Sequence, residues 1–479
     1  MTFTIGLDIG TTSTKAVIAD GAGRAVWSEK KSYPFSQPRD GYHEQDPAEI
    51  LAAVNKLLTL AFLQVVKKDL SCITLSSAMH SLIVVDQSGT ALSPMMTWAD
   101  TRSRLIAESL KGTEQGQRIY LATGTPVHPM SPLCKITWLR ESQPELYAAA
   151  FKFISIKEYV WFHLTGEFLI DYSIASATGL FNIRELTWNP ESLFFAGITG
   201  DKLSTPVPVS HLTSRDGIDY IIGASDGALA NIGTGAIHAG EVALTIGTSG
   251  AVRILNKKPL ADYRGRLFNY VVDDGFFLCG GAINNGGITL RWFIDSFYGE
   301  GITDFNTVLA EAEGIKAGSE GLIFLPYIYG ERAPIWDAGA QGVFFGIRSV
   351  HNRAHFLRAV LEGISFSLKQ VLEALEENGE TIDTVFASGG FISSPIWLGI
   401  LGDILRKKIR LTQDADASAM GAIFLGMKVK GLTESWEQAA GNLETSQVLD
   451  PVNGPDVYKP NYEVYCRLYD KLKDEFHRG

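Results

Sequence analysis

Runs of apolar residues divide this chain before any single motif is considered. Phe3 to Ile9 predicts a short strand closed by the turn Gly10-Thr11-Thr12. Lys15 to Ala19 predicts a second strand, ending in the hairpin turn Asp20-Gly21-Ala22-Gly23. About half a chain later, Val242 to Ile246, Gly247-Thr248-Ser249 and Gly250-Ala251-Val252 repeat the series of strand, Gly-hydroxyl turn and strand. Ile9-Gly10-Thr11-Thr12 and Ile246-Gly247-Thr248-Ser249 are nearly superimposable words, which predicts an internal duplication. Further along, Cys72 to Leu75 predicts a buried strand ending at Ser76-Ser77, and Thr384 to Ala387 another ending at Ser388-Gly389-Gly390.

Helical spacing fills the intervals. Asp46-Pro47 supplies an N-cap and first-turn proline for a helix to Phe62. Phe356, Val360, Ile364, Leu368, Val371 and Leu375 share one face of a helix over 353–375. Tyr465, Leu468, Tyr469, Leu472 and Phe476 form one stripe of a helix over 463–477. Strands mixed with helices imply an α/β protein. It reads as two domains, 1–238 and 239–479, joined near Gly233 to Gly240 with a cleft between them.

Composition narrows the function classes. Of 479 residues, 46% are hydrophobic and 20% charged, a balance that excludes a disordered chain or a coiled-coil rod. The 42 Lys and Arg against 53 Asp and Glu give a net charge of −11, which argues against sequence-independent nucleic-acid binding. The one basic cluster, Arg406-Lys407-Lys408-Ile409-Arg410, predicts a solvated helix end. Cys72, Cys134, Cys279 and Cys466 are far apart, against a disulfide framework or a zinc site. The opening residues have no basic segment followed by an apolar one, and no stretch approaches the roughly 18 apolar residues of a membrane span. A soluble cytoplasmic protein with no membrane or nucleic-acid partner is expected.

Asp8 at a strand end beside a Gly-hydroxyl turn suits a magnesium nucleotide. The glycine admits a phosphate to the backbone, successive N–H groups form an anion-binding concavity, and the carboxylate can hold Mg²⁺ through its waters. A plain hairpin with a solvated Asp is the bland alternative. The second copy at Gly247-Thr248-Ser249 favours phosphate, with both turns gripping one polyphosphate. The chain has no G-x-x-x-x-G-K-[ST] and so is not a P-loop enzyme. Gly223-Ala224-Ser225-Asp226-Gly227 carries three readings: Asp226 as a general base taking a proton from an attacking hydroxyl, Ser225 or Asp226 as a helix cap, or Ser225 as the nucleophile of a hydrolase elbow. Against the last, no HGGG-type oxyanion segment lies upstream.

Trp98, Asp100 and Arg102 stand two apart and can hold the hydroxyls and C–H face of a sugar, with Met79-His80 lining the same pocket. Spacing alone favours an Asp–Arg ion pair beside a core Trp. Ser388-Gly389-Gly390 suits either a nucleotide on bare backbone or a tight turn. Tyr327 to Pro334 reads as a structural loop with Arg332 paired to a carboxylate.

These words together resemble the FGGY carbohydrate kinases, the group containing glycerol, xylulose, ribulose and gluconate kinases. Leu7 to Ser13 and Thr245 to Gly250 look like the family's two phosphate hairpins. Met130 to Leu139 is similar to its first signature. Gly342 to Ile347 with His355-Phe356 and Ala359 to Glu362 is similar to its second, and Tyr327 to Pro334 matches a characteristic loop. The resemblance implies two actin-like (ribonuclease-H-like) ATPase domains flanking a central cleft, with ATP and Mg²⁺ as cofactors. It implies nucleotide contacts from Asp8, Gly10, Thr11, Thr12, Ser13, Lys15, Gly247, Thr248 and Ser249, and Gly389, Gly390 and Gly421 about the adenosine. It makes Asp226 the base, Asp8 and Asp226 the metal-side carboxylates, and Ser77, Met79, His80, Trp98, Asp100 and Arg102 the substrate contacts. Phe391 stands where many members have a third glycine, and Gly399 where a glutamine is common.

Within the family, Ser77 to Leu82 with Thr97 to Ser103 looks most like the gluconate kinases. Xylulose kinases usually show a glycine where Ser81 stands, and glycerol kinases an Arg-Glu pair that is absent here. The expected activity is phosphorylation of D-gluconate. A pentulose or polyol kinase, and an actin-like ATPase without a small acceptor, are the alternatives. The residues do not fix the carboxylate's partner or the oligomeric state, a homodimer being one option.

Overall fold

A computed structural model describes residues 2–273, 275–412, 416–441, 445–454 and 456–477. The chain divides into two compact units. The first is Met1–Ile237, Leu255–Cys279 and Asp416–Leu443; the second is His238–Ile254, Gly280–Ala415 and Glu444–Gly479. The sequence boundary after residue 238 treats each domain as one continuous stretch, whereas two later segments return to the first unit. Packing explains the longer return. The helix Ala417–Val429 is buried from Ala419 to Met427 and needs cover on every side. It finds that cover against strands and a helix of the first unit.

The first unit is built on a six-stranded sheet. Its strands are β1 (Phe3–Ile9), β2 (Ser13–Ala19), β3 (Ala25–Ser32), β4 (Leu70–Ser77), β5 (Leu212–Arg215) and β6 (Ile218–Ser225), in the order β5-β6-β4-β1-β2-β3. β1, β4 and β6 run parallel; the pairs β1–β2, β2–β3 and β5–β6 are antiparallel. The continuous apolar runs Thr4–Leu7 and Cys72–Leu75 are buried, as expected for strands covered on both faces. The helix Pro47–Phe62, capped by Asp46, lays Ile50, Val54, Leu57 and Ala61 into a core with Ile5, Leu7, Ile73 and Leu75. Each such fully buried aliphatic side chain contributes about 1.5–3 kcal/mol. Elsewhere the Ala417–Val429 helix comes so close that a Cβ on Gly6 would lie 2.2 Å from the Ala419 carbonyl oxygen.

The second unit repeats this plan. Five strands of its seven-stranded sheet, β7 (Glu241–Ile246), β8 (Gly250–Asn256), β9 (Thr384–Ser388), β10 (Lys408–Thr412) and β11 (Thr445–Leu449), lie in the order β8-β7-β9-β10-β11, with the strands Phe276–Ile283 and Phe268–Asp273 beyond β8. Again a hairpin, β7–β8, has its first strand parallel to the next, β9; β10 continues parallel and β11 closes antiparallel. The duplication predicted from two short words therefore extends to the order and direction of these five strands. The helix Arg353–Glu377 buries Val360, Ile364, Leu368, Val371 and Leu375. The last helix, Lys459–Phe476, starts four residues before the expected point and buries Tyr465, Leu468 and Phe476. The basic cluster is a correction: the helix ends at Leu405 with Arg406 as its cap, and Lys408 to Arg410 belong to β10, where Ile409 is core. Its charges are spread by strand alternation.

Candidate active site

Three parallel strands of the first unit end side by side. Asp8 lies opposite Ser76, and Ile9 opposite Ser77, which in turn faces Ser225 at the end of β6. The carboxyl ends of parallel strands are where open α/β sheets receive ligands. Asp8 accepts a 2.6 Å hydrogen bond from Ser76 Oγ. Burial and the neighbouring Asp226 carboxylate push Asp8 up to about 6, against the pull of Ser76 and Lys15. A buried carboxylate whose charge is opposed by a second carboxylate creates a need for positive charge. Lys15 meets part of it, yet it is itself ion-paired with Asp416.

The first turn is held tightly. Gly10 donates its N–H to the Ser13 carbonyl at 3.0 Å, and Gln45 Nε2 donates to the Thr11 carbonyl at 2.8 Å. Trp98 Nε1 donates to Thr11 Oγ1 at 3.0 Å, so the expected sugar-side Trp and the expected phosphate-side Thr are in direct contact. Thr12 is exposed.

Asp226 opens the helix Asp226–Gly233, and Ser225 is its N-cap. Ser225 is fully buried; its Oγ accepts from Ala228 N–H at 3.4 Å and from Ser173 Oγ at 2.9 Å. A capped, buried hydroxyl is no nucleophile, so the cap reading belongs to Ser225. The elbow is nevertheless sharp: Gly223 has φ +70°, and a Cβ there would lie 1.8 Å from the Leu75 carbonyl oxygen. The Asp226 carboxylate accepts its neighbour's Gly227 N–H at 2.6 Å, and it sits at a helix N-terminus that favours negative charge. Beneath it, the buried Lys157 bonds Asp171 at 2.7 Å and the Ala224 carbonyl at 2.9 Å. Lys157, Asp171 and Ser173 were not legible as site supports, because nothing in their spacing ties them to residue 226.

The expected substrate residues gather around two loops. His80 is buried with φ +66°, its Nδ1 2.8 Å from the Ala177 carbonyl oxygen and its Nε2 3.4 Å from Tyr270 OH. Met79 packs on the cluster of Ile170, Ile174, Phe181 and Val271. Ser77 is buried. Asp100 and Arg102 form the ion pair that the spacing favoured. The Arg102 side chain, 4% exposed, donates through Nε and Nη2 to Asp100 and through Nη2 to Glu44, and its guanidinium lies 3.6 Å over the Tyr42 ring. Asp100 also accepts from His43 N–H at 2.8 Å. With two carboxylates already on it, Arg102 offers little net charge to a further anion.

In the second unit, Gly247 N–H donates to the Ser249 carbonyl at 2.9 Å, and Gly247 and Thr248 are exposed. This turn is one residue shorter than the first, but its leading strand pairs with the next parallel strand as before, and Thr245 stands where Asp8 stood. Its hydroxyl meets Ser388 Oγ at 3.0 Å, as Asp8 meets Ser76. Gly286 and Gly287 press on this turn; a Cβ on Gly286 would lie 2.5 Å from Ser249 backbone. Their position comes from Glu331, which accepts from Asn284 N–H at 2.5 Å and Asn285 Nδ2 at 3.0 Å. Burial lifts Glu331 to about 7. The loop read as merely structural thus anchors the second turn. Arg332, expected to pair a carboxylate, bonds Asn284 Oδ1 at 2.8 Å and lies in the field of Glu331.

Gly389 has φ +106° and lies against the Ile246 carbonyl oxygen, where a Cβ would come to 2.3 Å; a Cβ on Gly390 would meet open space. Phe391 is buried edge-on against Trp397, so core packing takes the third-glycine position. Gly421 faces the helix Asp226–Gly233, where a Cβ would fall 1.9 Å from the Leu229 carbonyl oxygen. Among the described residues, no three His, Cys, Asp or Glu side chains converge on a metal position, no helix is long and apolar enough to cross a membrane, and none of the four cysteines is in a disulfide.

Comparison with known proteins shows the family and the fold. Residues 3–231 match the N-terminal domain model of the FGGY family of carbohydrate kinases, and residues 242–429 match the C-terminal domain model. A gluconokinase of Bacillus subtilis (strain 168) is 38% identical over 99% of this chain and 97% of its own length. Crystal structures of a gluconate kinase and of a ligand-bound xylulose kinase, both from Lactobacillus acidophilus, each align with TM-score 0.92 and 34% identity. The first covers 98% of both chains and the second 99%. The fold is therefore the two-domain carbohydrate kinase fold of the actin-like ATPase type, and this chain belongs to the FGGY family of carbohydrate kinases.

Proposed function

We propose that this kinase transfers the γ-phosphoryl group of ATP to the terminal primary hydroxyl of D-gluconate, giving 6-phosphogluconate and ADP. The observation that carries the phosphoryl-transfer chemistry is the placing of Asp8 and Asp226 together where parallel strands end, with burial first and the Asp226 carboxylate second lifting Asp8 to about 6. That need for a cation fits hydrated Mg²⁺, with Asp8 as its protein carboxylate; the ion would neutralise charge building on the phosphates. Asp226 takes the proton of the attacking hydroxyl. That oxygen forms the new bond to the γ-phosphorus while the bond to the β–γ bridging oxygen breaks. Thr11, Thr12, Ser13, Thr248 and Ser249, with the N–H groups of the Gly10 and Gly247 turns, hold phosphate oxygens. Lys15 adds charge, and Gly389, Gly390 and Gly421 lie on the adenosine side.

Met79, His80, Trp98 and Asp100 position the acceptor, with Ser77 and Arg102 supporting them from behind. The gluconate assignment is supported by the gluconokinase relative and by Ser81 after Met79-His80. Xylulose is the second reading, because the xylulose kinase structure aligns as well as the gluconate kinase structure. The deciding experiment compares kcat/KM for gluconate and xylulose and repeats the better one with Asp226→Asn. Gluconate should lead, and the variant should lose about 10²- to 10⁴-fold in kcat. Xylulose in the lead would replace the acceptor. Near wild-type turnover would remove Asp226 as base.

A further inference from the structure

The two loops that carry the acceptor residues pair with each other at one point. Leu82 N–H donates to the Met96 carbonyl at 3.0 Å, and Met96 N–H donates back at 2.9 Å. On the site side of that bridge the loops turn toward Met79-His80 and Trp98. There a side chain from a third element takes over. Lys135 lies in the helix Pro132–Ser142 and is fully buried. Its Nζ donates to the His80 carbonyl at 2.6 Å and to the Thr97 carbonyl at 2.6 Å, one from each loop. We propose that Lys135 is a positioning residue whose ammonium clamps the His80 loop to the Trp98 loop and so sets the width of the acceptor pocket.

Three observations carry this. First, His80 is held at φ +66°, a region that a histidine adopts only when its surroundings insist, and the bonded carbonyl is its own. Second, an ammonium is expensive to bury, and this one is lowered to about 7 by burial while Asp100 supports its charge. Donation to two carbonyls spends that charge on the loops. Third, Thr97 immediately precedes Trp98, whose indole N–H reaches Thr11 in the phosphate turn. Lys135 touches neither acceptor nor nucleotide in this assignment; it acts through the loops. Bonds from a charged donor are stronger than neutral ones and directional, so a point charge between two carbonyls fixes both.

The inference rests on the reading that these loops hold the acceptor, whichever sugar that is. The test measures acceptor KM, ATP KM and kcat for wild type, Lys135→Met and Lys135→Arg, with a thermal melt of each. The probe is whichever of gluconate and xylulose the wild-type protein phosphorylates better. Lys135→Met should raise acceptor KM ten-fold or more while ATP KM stays within about two-fold, and Lys135→Arg should fall between it and wild type. A merely structural lysine would reduce the active fraction and kcat without this split. If Lys135→Met melts without a cooperative transition, the arginine variant alone decides, since a planar guanidinium cannot reproduce one point donor between two carbonyls. Unchanged acceptor KM in the folded variants, or equal rises for acceptor and ATP, overturns the clamp and leaves the kinase assignment standing. A wild-type protein that prefers xylulose overturns only the gluconate assignment.

Discussion

Ser225 and Asp226 show how two adjacent residues in one turn take unrelated tasks. Ser225 Oγ faces inward, caps the helix and meets Ser173, while Asp226 is the first residue of the helix and keeps its carboxylate beside Asp8. Ser225→Ala should therefore cost about 1–2 kcal/mol of stability through the lost cap and the lost Ser173 partner. ATP-dependent phosphorylation should survive within several-fold, as a coupled ADP assay and a thermal melt would read. Abolished phosphorylation in a well-folded variant, with ester hydrolysis in the wild type, would instead restore Ser225 as a nucleophile. The sequence alone ranks Asp226 over a nucleophilic Ser225 through the duplicated turns and the lack of an HGGG-type oxyanion segment upstream. It cannot tell which of the two caps, because a cap depends on side-chain direction at a strand-to-helix junction. Arg102 illustrates the other limit. A two-residue spacing announces the pair with Asp100, but Glu44, 58 positions away, and the Tyr42 ring complete it. No local pattern encodes such partners.

Glycine positions carry the next scale, where elements meet. The helices Asp226–Gly233 and Ala417–Val429 approach through Gly421 and Gly233; a Cβ on Gly233 would lie 1.9 Å from the Ala417 carbonyl oxygen. Gly421→Ala must push backbone against backbone and should cost about 1–3 kcal/mol, the ordinary range for overpacking. Gly390→Ala meets open space and should leave the melting temperature nearly unchanged. Melts of both variants side by side would read the contrast; equal, small effects would mean that the helices slide apart at little cost. From the sequence, Gly421 looks like a nucleotide contact, and a residue pressed between two helices is also what lets the first of them present Asp226. Strands and helices with continuous apolar runs were legible. What joined them was not: the Ala417–Val429 helix is apolar on every side from Ala419 to Met427, so its period names no partner, and its return to the first unit follows only from packing.

Across the whole molecule the same economy buries acids in both units. Glu158 in the first unit and Glu331 and Glu362 in the second are each raised to about 7, in every case chiefly by burial. A raised carboxyl keeps its proton in the folded chain where the unfolded chain has lost it. Between the ordinary value near 4.5 and about 7, the folded state therefore binds more protons, and each group makes stability fall as pH rises. Glu158 is the cleanest reporter, since its carboxyl accepts from Ser155 N–H, in a helix cap rather than in the nucleotide turn. Glu158→Gln removes the titration and keeps an oxygen to accept from Ser155. Its stability relative to wild type should improve steadily from pH 5 to pH 7.5, by up to about 3 kcal/mol across the window. The comparison is one of slope, so a constant offset from repacking does not disturb it. Urea unfolding at several pH values reads it directly. Parallel curves for the two proteins would mean that Glu158 is ionised throughout, its charge carried by the hydrogen bond from Ser155 N–H.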